Sequence, residues 1–283
     1  MNTIKLGVLC PSEIASRRFL PALQKDSNFT FVGLSTANEA EWFGSRSEKN
    51  DCTVLQKERE KGKDVIKTYG GKLFDSYQAL LESPEIDAVY IPLPPALHFQ
   101  WAKKALECGK HVFLEKPFTD SLKKTQELIA LAAENQLAIH ENYMFRFHSQ
   151  LSYLHDLIAK KEIGDLRLFR IAFGFPFRGA HDFRYVKSLG GGALLDCGGY
   201  PVRLAAHLLG ETAQIVASSL QYSPEFEVDI GGSATMKNDA GQVAQIAFGM
   251  DNSYKCELEL WGSTGSVYTN RIYTAPVDFE PQV

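Results

Sequence analysis

The chain has few cysteines, and none stands in a motif. Cys10, Cys52, Cys108, Cys197 and Cys256 make five, scattered and without a C-x-x-C pair. That excludes a disulfide framework and a zinc-knuckle fold, and it points to reduced thiols in a cytoplasmic protein. His140, His148, His155, His181 and His207 show no ligand spacing, so no metal is expected. No apolar run approaches transmembrane length. Ile4 to Leu9 is too short for a signal-peptide core and has no cleavage site after it. Neither sign of charge prevails: 30 Lys and Arg against 34 Asp and Glu leave a net charge of -4. There is thus no electrostatic footprint for nucleic acid or an anionic membrane. Repeats and low-complexity tracts are absent.

What is present is an ordinary globular composition, 45% hydrophobic and 23% charged over 283 residues, a length that suggests two domains or one large one. Up to His140 short apolar runs alternate with helical patterns. Strands are expected at Ile4–Leu9, Phe29–Ser35, Ala88–Ile91, His111–Leu114 and Leu137–His140. Helices are expected at 14–23, 52–69, 76–81, 97–108 and 122–135. The long connection between Glu39 and Gly71 is read in part as an insertion. This alternation predicts a Rossmann-type, doubly wound parallel sheet over residues 1–138. After a helix at 150–160, a strand near 166–175 and a helix ending near Gly210, several strands follow in succession. They predict an α/β domain over 139–283 with an open, mainly antiparallel sheet, whose uncovered face offers an association surface.

Two stretches carry candidate chemistry. Glu115-Lys116-Pro117 lies just past the end of an expected parallel strand, the edge at which open α/β sheets bind ligands. Lys116 precedes proline, which biases it to extended backbone, and the bond between them can be cis. The plainer reading is a solvated loop lysine. The second stretch is the first turn, from Gly7 through Cys10, Ser12, Glu13 and Ile14 to Ala15. A dinucleotide fold needs glycines here for close approach to the pyrophosphate. Gly7 and the small Ala15 suit it, whereas Cys10 and Ser12 stand where glycine is expected. The helix N-terminus still offers N–H groups and a positive dipole end. The second strand closes on Ser35 and Thr36 with no carboxylate until Glu39. That leans from NAD towards NADP, with Ser35, Thr36 or Arg46 near a 2′-phosphate; for Arg46 a solvated loop charge is the simpler reading.

These residues, with Pro94 and His98, the run Glu141-Asn142-Tyr143-Met144-Phe145, and Gly190 to Pro201 with its Gly-Gly-Gly-Ala-Leu-Leu-Asp-x-Gly-x-Tyr-Pro pattern, resemble the Gfo/Idh/MocA oxidoreductases. The likeness covers nearly all of the chain apart from roughly residues 41 to 68. Within that family the chain looks most like the nucleotide-sugar 3-ketoreductases of deoxysugar biosynthesis. Ala15-Ser16-Arg17-Arg18, Asp182-x-Arg184-Tyr185, Phe248-Gly249-Met250 and Gly262-Ser263-Thr264-Gly265 add to the match. The resemblance implies reduction of a keto group on a nucleotide-linked sugar with NAD(P)H, NADP being the expected cofactor and NAD possible. Members usually continue past the point where this chain ends, so its C-terminal end is short for the family.

Hydride transfer to a ketone leaves charge on oxygen, so a proton donor and a positive group are needed. Tyr200 is the candidate acid and Lys116 its partner. The family's dehydrogenases commonly carry histidine where Tyr200 stands. Asp196 is a candidate to orient a substrate hydroxyl or Lys116, and equally a helix cap. Pro92, Leu93, Pro94, His98, Glu115 and Asn142 complete the expected cofactor site. Arg146, Phe175, Asp182 and Arg184 are the substrate-side candidates, aromatics to stack on a base and arginines to meet phosphates. Partners are expected to be a small sugar or sugar nucleotide and further copies of the chain, as a homodimer or homotetramer. Competing readings are a dehydrogenase of free sugars, inositols or dihydrodiols, and a non-catalytic binding or regulatory protein.

Overall fold

A computed structural model describes residues 3–44, 52–276, 279–280 and 282–283, which divide into two compact units, Met1–Asn142 and Tyr143–Val283. Arg46 lies outside the described residues.

The first unit is built on a six-stranded sheet in the order β3-β2-β1-β4-β5-β6. Its strands are β1 (Ile4–Leu9), β2 (Phe29–Ser35), β3 (Lys72–Phe74), β4 (Ala88–Ile91), β5 (His111–Leu114) and β6 (Ile139–Glu141). Every pairing is parallel. Helices cover both faces, so the central strands are apolar on both sides; all four residues of β4 are buried. One face packs against a π-helical turn (Ala15–Phe19), the short α1 (Leu20–Leu23) that continues it, and α3 (Cys52–Tyr69). The other packs against α4 (Tyr77–Leu81), α5 (Pro95–Glu107) and α6 (Leu122–Glu134). A five-residue α2 (Glu39–Phe43) lies between β2 and α3.

Three details depart from the sequence reading. Strand β3 is short and lies at the sheet edge, too brief to show a period. Helix α5 begins at Pro95, because a proline in the first helical turn forfeits no hydrogen bond. The last strand shifts towards the C-terminus because Glu141 pairs with Leu114 in register.

The second unit holds α7 (Ser149–Ala159), α8 (Gly199–Leu209) and a six-stranded sheet in the order β12-β11-β7-β10-β9-β8. Its strands are β7 (Leu166–Gly174), β8 (Gln214–Tyr222), β9 (Asp229–Lys237), β10 (Val243–Gly249), β11 (Lys255–Gly262) and β12 (Ser266–Thr269). The β7/β10 pair is parallel and the other pairings are antiparallel. One sheet face, with Phe169, Ile171, Phe173, Ile246, Phe248 and Leu258, forms the core with Leu151, Leu154, Leu204 and Leu209 from the helices. The other face carries Arg170, Gln245, Glu257, Glu259 and Tyr268 around a shallow depression. Alternation of buried and open positions along β10 and β11 is the period-two signature of a one-sided sheet.

Candidate functional site

The turn after β1 keeps the backbone of a dinucleotide site with unusual residues. Cys10 adopts φ +81°, the left-handed conformation that usually calls for glycine, and its N–H donates to the Ser35 carbonyl at 3.1 Å. Its thiol turns inward, where burial pushes the pKa up to about 12, with Glu58 reinforcing the shift and Lys61 opposing it. Ser12 caps the helix, its Oγ accepting from the Ala15 N–H at 3.2 Å. Glu13 is exposed and ion-paired with Arg17 at 3.4 Å, so it offers the turn only backbone, and Ile14 is half-buried. Gly7 serves packing: a Cβ there would lie 2.8 Å from Ile86 Cδ1 and 2.9 Å from Leu80 Cδ2.

At the end of β2, Ser35 is fully buried and its Oγ has no hydrogen-bond partner. Buried hydroxyls are rarely left so. Thr36 is also buried, and its N–H donates to Phe74 O at 3.3 Å. A left-handed turn, a capped helix start and an orphaned hydroxyl at the strand edge together fit the adenosine half of a dinucleotide.

Further along the same edge, Glu115 is the hub. Tyr90 donates to Glu115 Oε1 at 2.7 Å, and Asn142 Nδ2 donates to the same oxygen at 3.5 Å. The Asn142 N–H donates to Leu114 O at 2.9 Å. The Lys116–Pro117 peptide is cis. The Phe118 N–H, just beyond, donates to Glu141 Oε1 at 2.8 Å, which ties the loop to β6. Lys116 is half-buried at this edge. Pro92 and Leu93 are buried and Pro94 partly so, forming the wall of the β4–α5 loop.

His98 departs from its expected role. It is 0% exposed, and its ring nitrogens lie 2.7 Å from the carbonyls of Pro117 and Leu93. A neutral imidazole donates to only one of these. Burial pushes the pKa down against the pull of the two carbonyls, with the Lys116 ammonium acting the same way as burial. No ring edge is left for a cofactor, so His98 acts as a clamp between the β4 and β5 loops.

In the second unit a π-helical turn, Leu194–Gly198, leads into α8. Tyr200 lies in the first turn of α8, 7% exposed. Tyr143, Phe173 and Tyr273 surround it, with ring centroids 5.1, 4.9 and 5.3 Å away. Gly199 must be glycine, because a Cβ there would meet the Tyr143 hydroxyl at 2.1 Å. This aromatic box escaped the sequence reading; Tyr143 lies in the Glu141–Phe145 run, but nothing in that run signals Phe173 or Tyr273.

Asp196 is neither a cap nor an open carboxylate. Its Oδ2 accepts from Arg184 Nε at 2.7 Å, while Arg184 Nη1 donates to Asp182 at 3.1 Å. Burial works against the Arg184 charge, yet the two carboxylates outweigh it and the net pKa shift is upward. Asp182, Arg184 and Asp196 thus form one charge network, with Arg184 shared between the two carboxylates. Phe175 is buried, with Arg178 and Arg184 lying 4.8 and 5.9 Å from its ring centroid, so it offers no open stacking platform. Phe177, exposed beside Tyr185 and Phe226, is the aromatic that reaches the surface there. Arg146 is exposed.

Comparison with known proteins now decides the family. Residues 27–143 match the oxidoreductase family with an NAD-binding Rossmann fold, and residues 151–268 match the GFO/IDH/MocA C-terminal domain. The chain is a Gfo/Idh/MocA oxidoreductase. This oxidoreductase is 36% identical over 283 residues to the dTDP-3,4-didehydro-2,6-dideoxy-alpha-D-glucose 3-reductase of Actinomadura kijaniata, covering 100% of this chain and 79% of that one. It is 38% identical over 282 residues to the reductase of the same name from Streptomyces violaceoruber, covering 99% and 77%. A crystal structure of a 3-ketoreductase from Actinomadura kijaniata with NADP and TDP-benzene superposes with a TM-score of 0.89 at 35% identity, over 99% of this chain and 80% of that one. Other matched structures of that enzyme are variants in which one lysine is replaced by glutamate or alanine, or one tyrosine by phenylalanine. Among the described residues no helix is long and apolar enough to cross a membrane, and no three metal-binding side chains cluster.

Proposed function

We propose that this oxidoreductase uses NADPH to reduce the 3-keto group of a dTDP-linked keto-deoxysugar. The observation that carries this reading is the end-to-end likeness to reductases named for that substrate. The first unit binds the dinucleotide: the Cys10–Ile14 turn meets the pyrophosphate, Ser35 and Thr36 meet the adenosine ribose, and Glu115 and Asn142 hold the edge beyond them. The second unit binds the sugar nucleotide, with Arg146 and the exposed Phe177 available to phosphate and base. The bound cofactor supplies hydride to the carbonyl carbon. Lys116 places its ammonium against the carbonyl oxygen and stabilises the charge that develops there. The Tyr200 hydroxyl donates its proton to that oxygen, completing the alcohol. The roles of these two residues gain support from the relative's variants, whose lysine and tyrosine are separated in sequence by the same interval as Lys116 and Tyr200.

The protein works in the cytoplasm as a homodimer or homotetramer assembled through the open face of the second sheet. Ile215 and Val216 of the edge strand β8, and Trp261 and Tyr268 of β11 and β12, are exposed in the single chain. Exposed sheet surface of this kind is usually covered by association. Light scattering that finds only monomer would remove this part.

The decisive assay supplies dTDP-3,4-didehydro-2,6-dideoxyglucose with NADPH or NADH and follows loss of nicotinamide absorbance. Turnover with NADPH is expected. Turnover only of free sugars, inositols or dihydrodiols would move the enzyme to the dehydrogenase reading. Absence of binding to either dinucleotide would leave a regulatory protein.

A further inference from the structure

Helix α3 belongs to the stretch outside the sequence resemblance, yet it reaches the adenosine end of the dinucleotide site. As the crossover from β2 to β3 it runs antiparallel to the strands, with its N-terminal part past their carboxyl edge. Gly62 marks where it crosses β2: a Cβ there would lie 3.2 Å from Thr36 Cγ2 and 3.3 Å from Leu34 Cδ2. Glu58 is one turn earlier on the same face, about 5 Å nearer the strand ends. Its side chain is 14% exposed, although it carries charge, and Lys61 Nζ bonds its Oε1 at 2.6 Å. Its charge reaches both Cys10 and Tyr77, whose pKa values are raised first by burial and then with its help. Cys10 in turn is bonded to the Ser35 carbonyl, and the Ser35 hydroxyl is the orphaned group at this edge.

Two other carboxylates at this edge are spent: Asp75 pairs with Arg59 at 2.7 Å, and Glu41 is used by backbone. Glu41 accepts from the backbone N–H groups of Asn38, Tyr77 and Gln78 at 3.0, 3.0 and 2.9 Å, capping α2 and α4 together. Glu58 therefore stands where dinucleotide folds place the acidic residue that reads the ribose 2′-hydroxyl, but it comes from the crossover helix rather than from the strand end. Lys61, with its side chain 61% exposed, can leave Glu58 for a stronger anion. A 2′-phosphate is such an anion, and it would be repelled by Glu58 as it is drawn to Lys61.

We propose that Glu58 and Lys61 together set the choice between NADH and NADPH: the carboxylate accepts from the 2′-hydroxyl of NADH, and the ammonium pairs with the 2′-phosphate of NADPH. The proposal rests on the reading of this unit as a dinucleotide site. Isothermal titration of NADH and NADPH into the full chain and its variants tests it without turnover. Glu58→Gln should shift the ratio of dissociation constants about tenfold towards NADPH, and Lys61→Ala about tenfold towards NADH, the usual weight of one charge-assisted bond. Lys61→Arg should retain the wild-type preference. Thermal melts confirm that each variant is folded. If the parent protein binds neither dinucleotide, the functional reading itself falls. If the parent binds and neither substitution moves the ratio beyond about threefold, or both move it the same way, this inference falls and the functional reading stands.

Discussion

The two units secure their buried polar groups in different ways. In the first, side chains hold backbone: His98 faces the carbonyls of Leu93 and Pro117, Glu141 the N–H of Phe118, Glu41 three N–H groups, and Lys110 Nζ the carbonyls of Ser83 and Ile86. In the second, side chains hold one another as well as backbone: Asp196 and Asp182 hold Arg184 and Thr269 bonds Gln150, while Tyr185 donates to Met250 O and Asn238 to Leu209 O. The reason lies in the sheets. A parallel sheet ends in loops that must be fixed for a cofactor to meet them, so polar side chains are spent on loop backbone. The side-chain pairs of the second unit instead fix the Asp182–Asp196 loop ahead of α8 and the ends of its strands. Damage in the first unit should therefore reach cofactor binding, whereas damage in the second should reach stability.

The largest expected effects lie at Tyr200 and Lys116, the two groups proposed above as proton donor and positive partner. Tyr200→Phe should keep cofactor binding and lower the reduction rate by roughly 10²–10⁴-fold. Lys116→Ala should be at least as severe and should weaken substrate binding too. The double variant should lose less than the product of the two, because the pair acts as a unit. Steady-state kinetics with each protein decides this, and full activity of Tyr200→Phe would take the phenol out of the mechanism.

Next in size is Asp196→Ala, which leaves Arg184 half-paired in a buried setting. Urea denaturation should show a loss of about 3 kcal/mol, the low end for a broken buried pair because Asp182 remains. NADPH affinity should be unchanged. A parallel loss of cofactor affinity would break the contrast between the units.

His98→Leu should show the reverse pattern. The clamp between the two loops is lost and one loop carbonyl loses its donor, at about 1–3 kcal/mol, and dinucleotide affinity should fall with stability. The same residue carries a pH signature. Its folded pKa lies below the ordinary histidine value, so on acidification the unfolded chain takes up the proton first. Stability is therefore full above that pH and declines as pH falls towards the folded pKa, with a slope of up to ~1.4 kcal/mol per pH unit. Melting temperatures across this range should show that decline in the parent protein and a smaller one in His98→Leu.

The smallest effect expected is from Glu41→Gln, which keeps one of the two accepting oxygens at the shared cap of α2 and α4 and removes its charge. About 1 kcal/mol or less is expected, read by chemical denaturation.

Much of the architecture was legible in residue order because its signals are local. Buried strands of the first sheet read as short apolar runs, the second sheet as strands in succession, and Gly210 as a helix stop. The Ser12 cap is local in the same way, because capping depends on a residue and its neighbours three along. Composition and spacing also left the five cysteines without a motif and placed Lys116 after a strand.

What the sequence could not supply is which polar groups spend their bonding capacity on one another, since that depends on atoms far apart in the chain. Asp196 is twelve positions from Arg184, and only the fold of the intervening loop closes their 2.7 Å bond and removes Asp196 from the list of open carboxylates. His98 reads as a cofactor contact until both its nitrogens are found against carbonyls 5 and 19 residues away. Glu58 reads as a surface charge on a polar helix until Gly62 brings that helix down onto Thr36. Residue type and local period determine the elements and where their edges fall; long-range packing alone decides which side chains at those edges remain free to meet a ligand.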